Sequence, residues 1–227
     1  LETSLHRQLK LQYADAADQT EVRIGQYRID AIAAGRLIEI QHGGLSAIRD
    51  KVLDLVTEHE LLVVKPLVVS KQLVQQQRAA GPVLRRRKSP KRGRLIDIFE
   101  ELVYFTSVFP HPNLWLEIVL VDIEEWRYPG HGRRRRWSTR DYEIEDQKLL
   151  KIHGSYRLHK AQDLRKLAPA RLPRRFDTAK LAQALNIDRG VAQRIAYCYR
   201  KMGTAAQVAK RGNTLLYEFR RTPRRVA

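Results

Sequence analysis

The stretch that most constrains this chain is residues 27–41, YRIDAIAAGRLIEIQ. It consists of two short isoleucine-rich runs joined by Ala33, Ala34 and Gly35. β-Branched runs bounded by small turn residues predict the two strands of a hairpin. Alternate side chains of a strand fall on opposite faces, so Leu37, Glu39 and Gln41 share one face and Ile38 and Ile40 the other. Pairing the runs brings Asp30 beside Glu39. Adjacent carboxylates repel. Either solvent screens them on an exposed face, or a divalent cation binds both.

The flanking segments fix the class. Residues 1–13 set Leu5 and Leu9 one turn apart and predict an amphipathic helix. TEVRI at 20–24 alternates as a first strand. Residues 45–60 carry Leu45, Ile48, Val52, Leu55 and Val56 at helical spacing. LLVV at 61–64 suits a strand buried on both faces, ended by Lys65 and Pro66 and resumed at 67–69. Helix, three strands, helix, strand is an α/β order with a crossover connection.

Beyond this core, residues 75–94 are cationic and lack an apolar period, which predicts a flexible loop. A helix is expected over 95–109, with Ile98, Leu102 and Phe105 in register. A strand projecting beyond the sheet is expected over 114–128. Short strands at 142–144, 149–152 and 156–158 form a β-rich extension, with a turn at Gly154. Pro169 and Pro173 mark a boundary. After it come a helix over 178–185 capped by Asp177, a second helix from Asp188 or Arg189 to Met202, and a hairpin tipped by Lys210, Arg211, Gly212 and Asn213. The expected divisions are 1–128, 129–163 and 164–227.

Lys and Arg number 43 against 25 Asp and Glu, a formal charge of +18. That excess favours a polyanionic partner, nucleic acid ahead of an anionic membrane, since no apolar run has the length to span a bilayer. The one cysteine, Cys198, excludes an internal disulfide and fits a reducing cytoplasm. Residues 1–15 lack the apolar segment of a secretory signal.

Glu2, Asp30, Glu39 and Gln41, set in this element order, resemble the PD-(D/E)xK nuclease superfamily over residues 1–70. The resemblance implies a restriction-endonuclease-like core. Asp30 takes the first acidic position, Glu39 the second, and Glu2 the place of the helix glutamate. Gln41 stands where the family's lysine would be. The family's chemistry implies Mg²⁺, with Mn²⁺ as an alternative, held by Asp30, Glu39 and the carbonyl of Ile40. Gln41 carries no charge and would orient water by hydrogen bonding. The missing cation would come from a second metal, or from Lys51 or Lys65.

Residues 177–220 resemble a winged helix-turn-helix DNA-binding domain. Such a domain turns Arg189, Gln193, Arg194 and Arg200 outward from its second helix, packs Val191, Ile195 and Tyr199 inward, and sets Lys210 and Arg211 on the wing. The alternative is a small domain for protein contact. Cationic runs at 85–88, 91–94, 171–175 and Arg133, Arg134, Arg135 and Arg136 suit phosphate contacts, or a merely solvated face. Trp137 and Tyr142 stand near one run, for base stacking or for a core. Zinc-type His and Cys spacing, a Walker loop and a Ser-His-Asp pattern are all lacking.

The sequence therefore points to a metal-dependent DNA endonuclease acting on double-stranded DNA, as similar nucleases often do in dimers. Its rivals are a catalytically inactive nuclease-fold DNA-binding protein and an RNA-processing nuclease.

Overall fold

A computed structural model describes residues 2–14, 20–130, 141–169 and 171–220. The chain divides into two compact units. The first comprises residues 1–42, 64–94 and 118–156, and the second comprises 43–63, 95–117 and 157–227. Both α-helices and a large sheet are present, so the class is α/β.

The first unit begins with helix α1 (Ser4–Tyr13), opened by Thr3, whose hydroxyl accepts the amide of His6. Leu5 and Leu9 bury its apolar stripe. Strands β1 (Thr20–Ile24), β2 (Tyr27–Ala33) and β3 (Arg36–Ile40) form the expected meander. Ala34 and Gly35 both take positive φ, the conformation a two-residue hairpin loop requires. The β2–β3 register pairs Ala33 with Arg36 and Ala31 with Ile38, which sets Asp30 and Glu39 one residue further along each strand.

Three long strands complete the sheet: β4 (Leu61–Gln76), β6 (Leu114–Pro129) and β7 (Tyr142–Leu158), with β5 (Val83–Lys88) paired to β4. Among the described residues seven strands join, in the order β1-β2-β3-β4-β6-β7 with β5 alongside β4. Helix α1 packs on β2 and β3. It also reaches β7: the Ser4 hydroxyl donates to Asp146 at 2.6 Å, and the Leu149 amide donates to the Gln8 side chain at 2.8 Å.

Several expectations are corrected here. Residues 83–88 are a strand, not part of a loop. Every residue of β5 is exposed, so it lacks the alternation that marks a half-buried strand. Lys65 and Pro66 do not end β4, because a proline removes one donor and a long strand keeps its other rungs. Gly154 lies inside β7, which is one strand rather than three. β6 is paired on both sides rather than projecting.

In the second unit a 3₁₀ turn (Leu45–Ile48) leads into helix α2 (Arg49–Leu55). The helix expected over 95–109 shrinks to a 3₁₀ turn (Leu95–Ile98) and helix α3 (Phe99–Leu102), although Phe105, Val108 and Phe109 remain buried. The chain ends in α4 (Thr178–Leu185), α5 (Arg189–Lys201) and the hairpin β8 (Ala205–Arg211) with β9 (Thr214–Phe219). Asp177 and Asp188 cap the two helices through the amides of Lys180 and Gly190. Ile195, Ala196 and Tyr199 face inward, and Phe99 meets Tyr199 edge to face at 5.2 Å.

Candidate active site

The end of β3 is buried on both faces. Leu37, Ile38 and Ile40 are enclosed, and Glu39 is only 7% exposed. A solvent-screened hairpin face therefore does not describe Glu39. Past the last paired residues, the amide of Ile40 donates to Asp30 Oδ2 at 2.7 Å. The Gln41 amide turns the other way and donates to the Val64 carbonyl of β4 at 2.9 Å. Asp30 of β2 and Val64 of β4 thus hold the end of β3 from its two neighbouring strands.

The side chain that α1 brings to Asp30 is His6. Its Nε2 lies 2.9 Å from Asp30 Oδ1, an ion-pair contact rather than an aligned hydrogen bond. Asp30 raises the His6 pKa, against the effect of burial. Glu2 precedes the first residue of the helix, and its carboxylate lies 2.7 Å from Lys10 Nζ. Lys10 is itself buried and also binds Glu21. Burial works against its charge, but the two glutamates outweigh it and raise its pKa.

Lys65 enters the same region from β4. It is 6% exposed, and its Nζ donates to the His42 carbonyl at 3.0 Å, one residue past Gln41. Burial, then the charges of Lys65 and Lys71, push the His42 pKa down to about 4, so its ring is neutral near pH 7. Lys51, the other candidate for the missing cation, lies on α2 in the second unit.

Further along the unit, Glu125 on β6 is 1% exposed. Lys71 Nζ stands 2.5 Å from it, Arg127 Nη2 2.6 Å and Gln147 Nε2 2.8 Å. Burial alone would raise its pKa, but these partners hold it below the usual carboxylate range.

Among the described residues, no group of three or more His, Cys, Asp or Glu side chains could hold a metal ion. A Mg²⁺ site asks for less, namely one or two carboxylates with water and phosphate oxygens. Asp30 and Glu39 supply hard oxygen donors. Asp30 Oδ2 accepts the Ile40 amide and Oδ1 faces the His6 ring. In donor chemistry the pair fits a hard cation.

Of the predicted nucleic-acid contacts, Arg189, Gln193, Lys210 and Arg211 are exposed. Arg194 lies 3.5 Å from Glu100, an ion pair on α5 and α3. Val191, expected inward, is half-exposed. Arg133, Arg134, Arg135, Arg136 and Trp137 lie outside the described residues. Tyr142 is half-buried beneath the Arg127 guanidinium, 4.0 Å from its ring centre. His6 and the Glu125 cluster were missed from sequence, because each depends on contacts between distant segments, whereas Lys65 was already a candidate for the missing cation.

No described helix is long and apolar enough to cross a membrane. No solved structure matches the chain. An uncharacterized protein of Treponema pallidum (strain Nichols) is 31% identical over 219 residues, spanning 95% of this chain and 84% of the relative. Residues 3–159 match the family described as Domain of unknown function (DUF8091); the segment from α4 to β9 lies outside that match. By the extent of that match, the chain belongs to the DUF8091 family.

Proposed function

We propose that the protein is a metal-dependent DNA endonuclease of PD-(D/E)xK type, with its site at Asp30 and Glu39. The observation that carries this reading is the burial of Glu39 beside an Asp30 already fixed by the Ile40 amide, with the Lys65 amine entering from the next strand. Burying charge at a strand end is costly, and folding alone does not call for it.

Asp30, Glu39 and the Ile40 carbonyl would hold Mg²⁺, with Mn²⁺ as a substitute. The ion would supply neutralisation of phosphate charge and an acidified water. His6 and the Ile40 amide orient the Asp30 carboxylate. Lys65 provides the ammonium that Gln41 lacks, and Gln41 aligns water through its amide. The segment from α4 to β9 acts as a winged helix-turn-helix that holds double-stranded DNA through Arg189, Gln193, Lys210 and Arg211.

The second reading is an inactive nuclease fold that binds DNA. It is favoured by Gln41 and by the engagement of both Asp30 oxygens within the protein. The test is incubation with plasmid, branched DNA, single-stranded DNA and RNA, with Mg²⁺ or with chelator. The nuclease reading expects DNA cleavage that chelator abolishes and that falls at least ~1,000-fold in Asp30→Asn. If no substrate is cut, or if Asp30→Asn cuts as well as the parent chain, the second reading replaces it. Preferential cutting of RNA would reassign the substrate.

A further inference from the structure

The sheet face carrying Lys71, Glu125 and Arg127 opens into a trough that the site at Asp30 does not use. Two depressions of about 510 and 250 Å³ share Leu73, Arg87, Arg127 and Tyr142 as lining residues, and so form one continuous concavity. Residues 89–93 wall the larger part, where Lys91 and Arg92 stand; Arg85 lines the smaller.

The wall is preformed. The Ser89 amide donates to the Lys71 carbonyl at 2.8 Å, the Gly93 amide to the Val69 carbonyl at 3.3 Å, and Arg92 to the Ser70 hydroxyl at 2.7 Å. Gly93 is required there, because a Cβ would stand 2.2 Å from the Val68 carbonyl oxygen. The trough therefore needs no loop ordering before it can bind.

Its charge is unbalanced. Glu125 offsets Lys71 and Arg127, and Asp141 is the one carboxylate among the lining residues, against six cations. Among the described residues, no carboxylate stands within ion-pair distance of Arg85, Arg87 or Lys91. Guanidinium forks suit phosphate oxygens. Six cationic side chains line the trough against two aromatic ones, Tyr128 and Tyr142, and Arg127 already covers one face of Tyr142, so charge rather than base stacking dominates. The trough also shares strand β4 with the candidate site: Lys65, which donates to the His42 carbonyl, and Lys71, which lines the trough, lie on that one strand.

We propose that this trough seats a single DNA strand by consecutive phosphates, independently of base sequence, and leads it to the Asp30 site. The last clause rests on the nuclease reading; the binding does not, and it is measured without metal. Fluorescence anisotropy of a labelled oligothymidylate of about 20 nucleotides is recorded in chelator across a salt series. Arg87→Ala/Lys91→Ala is expected to weaken binding at least ~10-fold and to lower the slope of log K against log salt by about 1.4, the value for two lost phosphate contacts on a single strand. Both side chains are exposed, so an unchanged melting temperature certifies the fold. Arg85→Ala is expected to act in the same direction.

Parental affinity and slope in the double variant would overturn the proposal. So would a larger loss on duplex DNA than on the single strand, or tighter binding of oligouridylate that is lost in the same variant, which would assign the trough to RNA. Cleavage of the oligonucleotide with Mg²⁺ is read separately. Weakened binding in the variant supports the trough whether or not the parent chain cuts.

Discussion

The interior of the first unit and the helical segment with its hairpin at residues 177–220 use charge in opposite ways. In the first unit Lys10, Glu39, Lys65 and Glu125 are nearly sealed from solvent. In the second region the sealed side chains are Leu181, Ala192, Ile195, Ala196 and Tyr199, while Arg189, Arg200, Lys210 and Arg211 stand in water. Exposed cations cost the fold little and are screened by salt. Buried ions hold only where partners offset their lost hydration. The contrast separates a region whose charges are removable from one whose charges are part of the structure.

The strongest way to break that contrast is Glu125→Gln, which leaves Lys71 and Arg127 without their shared carboxylate. The expected cost is about 3 kcal/mol in urea unfolding, as for other broken buried pairs. An unaltered midpoint would put Glu125 in the removable class.

Lys65→Met tests the site itself. Cleavage is expected to fall about 100-fold, the scale of a lost group that stabilises charge in the transition state. Adding Gln41→Lys should restore part of it. Full activity in Lys65→Met would take the ammonium role away from Lys65.

On the other side of the comparison, Lys210→Ala/Arg211→Ala should shift unfolding stability by no more than about 0.5 kcal/mol, yet lower the salt slope of duplex binding by about 1.8. A marked loss of stability would mean that these exposed cations are structural after all.

The smallest effect is pH-dependent. Asp30 raises the His6 pKa, so the pair's contribution is fully present below the unfolded value near 6.5 and is lost as pH rises through the higher folded value. Urea curves for the parent chain and His6→Gln should differ below pH 6 and converge in alkali. Curves that stay equally far apart at pH 9 would exclude this linkage.

The same contrast decides what could be read from sequence. The turn at Ala34 and Gly35, the caps Asp177 and Asp188, and the positive-φ Gly212 at the hairpin tip are written in local residue chemistry, and the structure reproduces them. The parity of Leu37, Glu39 and Gln41 was legible for the same reason. What escaped was contact across distance. His6 meets Asp30 only because α1 lies on β2 and β3, and Lys65 reaches His42 only because β4 lies beside β3. Strand β5 escaped for a different reason: a strand wet on both faces carries no alternating signal.

The hold of α1 on β7 also has a consequence in time. Ser4 binds a residue 142 positions later, and Gln8 binds one 141 positions later. A growing chain emits α1 first and β7 more than half a chain afterwards. At roughly 5–20 residues per second that delay is on the order of ten seconds. Throughout it, α1 lacks its hydrogen bonds to β7, and the Lys71–Glu125 face has no Gln147 to close it. The Glu125 cluster is therefore completed last in its unit, so a nascent chain carries that carboxylate one partner short until β7 arrives.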